Sequence, residues 1–213
     1  MEVLFCIKII ACIIVFTPVI YYILKKYVSN KNELIHSFNE KRSKKFLRIK
    51  YENMRKDYFK FYRATAHLFY HDIPSDSFLF NSPNVWVCGD MHFENFGSFH
   101  GDNGLVYFDL NDFDEAILAP CLMDVSRFLV SLILITELLK FKYPDGIKLC
   151  HIFLESYCNA LKEGSSRVIE KESAKGVIKN LLKNLQNRES FIKEYTIKQK
   201  GIRRLNLDHP SIE

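Results

Sequence analysis

The sequence predicts an α+β fold, mostly helical, with a short β-hairpin and preceded by an N-terminal transmembrane helix. Three observations predict it. An apolar run near the amino terminus is long enough to cross a bilayer, apolar residues recur every three to four positions over long stretches, and two short apolar strands flank a Gly-Asp-Asn-Gly turn. The 213 residues are 48% hydrophobic, enough to bury a core, which excludes a disordered or collagen-like chain. The formal net charge of +5 averages two unlike regions. From Ala64 to Ser126 there is no Lys or Arg, yet that stretch holds Asp72, Asp76, Asp90, Glu94, Asp102, Asp109, Asp112, Asp114, Glu115 and Asp124. The excess of positive charge lies from Lys162 onward, so the balance does not point to nucleic acid as a partner.

The run from Val3 to Leu24 carries one charge, Lys8, and matches the ~20 residues of a membrane-spanning helix. Tyr21, Tyr22 and Tyr27 suit a membrane interface, and Lys25, Lys26, Lys31, Lys41, Arg42, Lys44 and Lys45 all follow the span. The positive-inside rule then predicts a single-pass membrane protein with its main body in the cytoplasm, residues 1–28 being anchor and flank and residues 29–213 the body. A cleaved signal peptide is the alternative. Glu2 in its charged region and the lack of a small-x-small cleavage site weigh against it.

Asn32 to about Tyr70 contains no Gly or Pro, and Phe46, Ile49, Met54, Tyr58, Phe61, Tyr62, Ala66 and Phe69 give it a helical stripe. His67 and His71 lie four apart, with no acidic third ligand at matching spacing, and read as ordinary histidines. His71 to Pro83 is a loop, and Val85 to Cys88 a buried strand ending at Gly89. His100 to Gly104 is a hairpin turn, and Leu105 to Phe108 the returning strand. Pro120 ends the loop that follows. Met123 to Phe141 is a core helix whose uncharged run is too short to span a membrane. Ile147 to about Lys162 and Ser173 to Gln186 are further helices, and the last twenty residues look irregular. Cys88, Cys121, Cys150 and Cys158 show no Cys-x-x-Cys spacing, so they read as buried thiols.

The chemistry concentrates in two acidic loops, each following a strand and joined through the hairpin. The first offers Asp90, His92, Glu94 and Asn95; the second offers Asp109, Asp112 and Asp114. Carboxylate and amide oxygens suit a hard cation, Mg²⁺ or Mn²⁺. Asp90 and Asn95 have the Asp-x-x-x-x-Asn spacing of a loop that holds a base at one end and a metal ligand at the other, as in kinases, and Asp109 takes the position of a second metal ligand. Acidic turns of no function are the plain alternative, since Asp and Asn favour loops.

The stretches KYENMRKDYFKFYRATAHLFYHDI, VWVCGDMHFENFGSF and GLVYFDLNDFDEAILAPCLMDVSRFLVSL resemble the mainly bacterial family known as domain of unknown function 2252, grouped with the protein-kinase-like superfamily and akin to aminoglycoside and choline kinases. The resemblance covers about Lys50 to Leu132 well, and the tail to about Leu207 less clearly. It implies a partial protein-kinase-like fold, with Asp90 as the base that positions an acceptor hydroxyl. Asn95 and Asp109 become Mg²⁺ ligands, Asp112 and Asp114 line the same pocket, His92 packs the loop or contacts phosphate, and Asp124 braces it. Arg63 either reaches an anionic group or is an exposed or structurally paired arginine. The chain has no G-x-G-x-x-G and no G-x-x-x-x-G-K-[ST] run. The resemblance therefore implies a catalytic half-domain over 29–213 whose nucleotide lobe is missing, with a second chain as one source of it.

Three functions follow from this reading. The first is a membrane-tethered, Mg²⁺-dependent phosphotransferase from ATP to the hydroxyl of an unknown small-molecule or protein substrate. The second is a non-catalytic pseudokinase or a metal- or ligand-binding module. The third is a metal-dependent phosphoester hydrolase, ranked last because only His92 and His100 lie near the carboxylates.

Overall fold

The computed structural model describes residues 31–184 and 188–208. They form an α+β fold, about half helical, with three two-stranded antiparallel sheets. The chain divides into two compact units, one running to Asn95 and including Asp112–Ser166, the other made of Phe96–Asn111 and the residues from Arg167 on.

The first unit opens with four helices, α1 (Asn32–Asn39), α2 (Lys44–Met54), α3 (Tyr58–Ala64) and α4 (Ala66–His71), over the stretch from Asn32 to about Tyr70 that was expected to be helical. Short polar side chains make the breaks by competing for backbone groups. Asn39 Nδ2 donates to the Ile35 carbonyl at 2.7 Å as α1 ends. Asp57 starts α3 as an N-cap, accepting from the Lys60 N–H at 2.7 Å. Thr65 separates α3 from α4, its hydroxyl turned back onto the Phe61 carbonyl at 2.7 Å. Strand β1 (Asn84–Val87) pairs antiparallel with β4 (Ile117–Pro120), with Asn84 opposite Pro120 and Val87 opposite Ile117.

Helix α5 (Leu122–Leu138) is the core of this unit and is buried along most of its length. Val130, Leu134 and Ile135 pack on Phe59 and Tyr62 of α3, with Phe69 of α4 alongside. Helix α6 (Tyr143–Glu163) starts with Pro144 in its first turn and Asp145 accepting from the Lys142 N–H, and ends at Gly164 in a left-handed conformation.

In the second unit β2 (Phe96–His100) pairs with β3 (Val106–Leu110), Gly97 opposite Asp109. Val106 is buried with Ala174 and with Leu182 of α7 (Gly176–Asn184). After α8 (Arg188–Tyr195) comes a hairpin of β5 (Thr196–Gln199) and β6 (Ile202–Leu205), where irregular chain was expected. Its two-residue turn, Lys200-Gly201, has φ of 51° and 81°, the pair of positive values a tight hairpin needs.

Two expectations are corrected. No helix among the described residues is long and apolar enough to cross a membrane, so the transmembrane helix and the single-pass membrane localisation are not carried further. Residues 3–24, on which that helix was placed, lie outside the described residues. Within them, the most apolar helix, α5, has 17 residues and spends its apolar surface on the protein core. The expected partial kinase-like lobe with one hairpin is likewise replaced by an α+β arrangement with three small sheets. The physical reason is strand pairing: β1 takes β4 as its partner, while β2 and β3 form a sheet of their own.

Candidate functional site

The site grows from the point where β1 ends. The Cys88 and Gly89 N–H groups have no strand partner there and both donate to Asp124 in the first turn of α5, at 2.7 and 3.1 Å. The Tyr70 hydroxyl of α4 donates to the Gly89 carbonyl. Gly89 holds φ of +85°, and a Cβ on it would lie 2.1 Å from the Glu115 carbonyl oxygen, so only glycine lets the two acidic loops meet here.

The next residue, Asp90, is turned onto α5. Its Oδ1 accepts from Arg127 Nε at 2.7 Å and also from Nη2. The Arg127 side chain is fully buried, while that of Asp90 is 15% exposed. Asp90 Oδ2 lies 3.9 Å from His92 Nε2. Its second oxygen is thus the one not taken by the guanidinium. The loop is pinned again where the Phe93 N–H donates to Ser131 Oγ at 2.9 Å.

Asn95 closes the arrangement. It is buried, and its Nδ2 reaches the Asp90 carbonyl at 3.2 Å and the Asp112 carbonyl at 3.4 Å. One amide therefore ties both loops together and leaves its own Oδ1 as an acceptor. Asp112 Oδ1 accepts from the Asp114 N–H at 3.3 Å. Glu115 follows. Loss of water on one side and the negative charges of Asp90, Asp112 and Asp114 raise its carboxyl above the ordinary Glu value.

Asp90, His92, Asn95, Asp112 and Asp114 thus belong to one unit. Asp109 belongs to the second unit, where it is exposed on β3 and accepts from the Leu110 N–H at 2.8 Å. Oxygen donors of this kind suit Mg²⁺ in chemistry. Among the described residues, however, no group of three or more His, Cys, Asp or Glu is gathered to hold a metal. Mg²⁺ is ordinarily held by one or two protein groups together with substrate phosphates, and Asn95 and Asp112 are oxygen-bearing side chains of that kind. Glu94 is taken by Arg63, so that arginine is paired rather than free. Burial pushes the Cys88 and Cys150 thiols up to about 12, which removes both as nucleophiles near neutral pH.

His92 is 3% exposed, edge-on to Phe59, and among the described residues its Nδ1 has no hydrogen-bond partner. Burial lowers its pKa to about 4, with the Asp90 charge opposing. The unfolded chain binds that proton near 6.5. The folded state therefore gains from a neutral His92 fully above pH 6.5 and loses that gain as pH falls from 6.5 toward 4. His67, also lowered to about 4, acts in the same direction. Urea unfolding midpoints are expected to fall across that window, and His92→Phe is expected to flatten the fall; an unchanged profile in the variant would refute the assignment.

Sequence reading did not single out Arg127 or Tyr70. Arg127 stands one residue beyond the base-free stretch, and that position is the signal that could have found it.

No curated protein and no solved structure matches the chain. Residues 42–212 match the sequence profile of a family described as "Uncharacterized protein conserved in bacteria (DUF2252)", and the chain belongs to that family.

Proposed function

We propose that this protein is a Mg²⁺-dependent phosphotransferase of the kinase-like class, moving a phosphoryl group from ATP to a hydroxyl of a small-molecule or protein acceptor. The observation that carries the reading is the double tie of Asn95, which fixes the Asp90 loop to the Asp112 loop from a buried position. Phosphoryl transfer asks little covalent chemistry of the protein and much positioning, and a loop fixed at Gly89, Asp90, Phe93 and Asn95 supplies that. Asp90 Oδ2 is the atom that accepts the hydroxyl proton. Arg127 holds Oδ1 and so orients the carboxylate toward its acceptor. Asn95 Oδ1 and the Asp112 carboxylate are the groups of this unit that would hold Mg²⁺. The resemblance also gives a ligand role to Asp109, which Asp109→Asn tests by metal affinity. When bound, Mg²⁺ neutralises charge on the phosphates.

One observation favours a second reading, a non-catalytic ligand-binding module. Asp90 is already engaged by the fully buried Arg127, a pairing that a purely structural carboxylate would also make. Titration of the full chain with ATP, with and without Mg²⁺, separates the two. The phosphotransferase binds ATP more tightly with Mg²⁺ and transfers phosphate to an acceptor. Absence of ATP binding by the folded protein would overturn it. Phosphate release from simple esters without ATP would point to a hydrolase instead.

A further inference from the structure

Two basic residues, Arg42 between α1 and α2 and Lys50 on α2, gather on one aromatic ring. Phe38, at the end of α1, stacks on His67 of α4 with ring centroids 3.9 Å apart and planes 8° from parallel. Two cations converge on that same Phe38 ring, Arg42 at 6.0 Å and Lys50 at 5.9 Å from its centroid. Lys50 is held there, because its Nζ donates at 2.9 Å to Oδ1 of the fully buried Asn39. The ion pairs of this unit engage Lys31, Arg48, Lys60, Arg63 and Arg127. Among the described residues neither Arg42 nor Lys50 has a carboxylate within ion-pair distance.

This is an uncomfortable arrangement for an empty surface. An ammonium group partly withdrawn from water, beside a guanidinium, is disfavoured by both desolvation and like charge, and these lower the Lys50 pKa. Burial keeps His67 neutral, so it supplies no counter-charge to the pair, and among the described residues neither of its ring nitrogens has a hydrogen-bond partner. A ligand with two negative charges would relieve the pair, whereas a monoanionic carboxylate satisfies a single arginine.

We propose that Arg42 and Lys50 form an anion subsite for a di- or triphosphate, seated by the Phe38–His67 stack. The subsite stands on its own geometry. Its assignment to the donor's phosphates rests on the phosphotransferase reading, and it would supply the phosphate grip that no Gly-rich loop in this sequence provides.

Calorimetric titration of the full chain with pyrophosphate, ATP and adenosine tests it. Pyrophosphate and ATP are expected to bind and adenosine alone to fail. Arg42→Gln and Lys50→Gln are each expected to weaken pyrophosphate by roughly tenfold, the cost of one charge-assisted hydrogen bond. Lys50→Arg is expected to keep most of the affinity. Among the described residues the Arg42 side chain makes no hydrogen bond, only its backbone N–H donating to the Asn39 carbonyl, so its variant reports binding even if Lys50→Gln loosens Asn39. No pyrophosphate binding by the wild type, or unchanged affinity in both Gln variants, would overturn the subsite. ATP binding tighter than pyrophosphate assigns a nucleotide, and equal binding assigns a polyphosphate or phosphoester. Binding through the pair with no phosphate transfer to any acceptor would keep the subsite and remove the phosphotransferase. Transfer whose KM for ATP is the same in both Gln variants would do the reverse.

Discussion

Arg127→Met is expected to destabilise the folded chain by ~3–5 kcal/mol, the cost of breaking one side of a buried ion pair. The guanidinium is fully buried and lies 4.2 Å from the Tyr62 ring centroid and 5.3 Å from that of Phe69. Besides Asp90, its Nη2 serves the Tyr62 carbonyl at 3.1 Å. Methionine fills much of the volume but answers none of these groups. The Asp90 carboxylate would stay largely buried with no counter-charge, and the Tyr62 carbonyl would lose its donor from Arg127. Urea unfolding measures the loss. The double variant Arg127→Met, Asp90→Asn is expected to recover part of it, because the uncompensated charge is then gone. A single-variant loss under ~1 kcal/mol, the range of an exposed pair, would mean that the pair does not bind the loop to α5.

Gly89→Ala is the second large effect. Its φ of +85° is disfavoured for any L side chain, and the new Cβ would meet the Glu115 carbonyl oxygen at 2.1 Å and its carbon at 2.8 Å. Both are backbone atoms, so the second loop must move. The Gly89 N–H and carbonyl are meanwhile held by Asp124 and Tyr70, so the first loop resists. A loss of ~2–4 kcal/mol is expected, in the range of a strained backbone combined with a clash. Tyr70→Phe removes only the hydroxyl contact and is expected to cost ~1 kcal/mol. Activity, where present, should fall far more in Gly89→Ala than in Tyr70→Phe. Equal effects would mean that the close approach of the loops is not what the site needs.

Much of this site was legible in the chain because its parts are local. A strand ending at glycine, followed by Asp90, His92 and Asn95, placed the first loop, and Asp112 and Asp114 placed the second. The apolar run of α5 announced the core helix. What stayed hidden depends on distance along the chain. The acidic stretch reads as uncompensated, yet Arg127 reaches Asp90 from 37 residues away. Lys50 and Arg42 stand on and beside helices whose boundaries are set by Asn39, Asp57 and Thr65, not by Gly or Pro. Strand β4 begins just after the acidic loop and shows its nature only through its pairing with β1. The terminal hairpin turns on Lys200-Gly201, where lysine replaces the Asn or Asp that usually marks such a turn.

The central claim is that Asp90, oriented by Arg127 and fixed by Asn95, accepts the proton of a hydroxyl that takes the phosphoryl group. The most direct measurement is single-turnover transfer from γ-labelled ATP, with Mg²⁺ and a panel of hydroxyl acceptors, for the wild type and Asp90→Asn at equal ATP saturation. The expected result is transfer by the wild type, a fall of roughly 10²–10⁴-fold in Asp90→Asn, the usual share of a positioned base, and little change in ATP affinity. Wild-type rates in Asp90→Asn would contradict the claim.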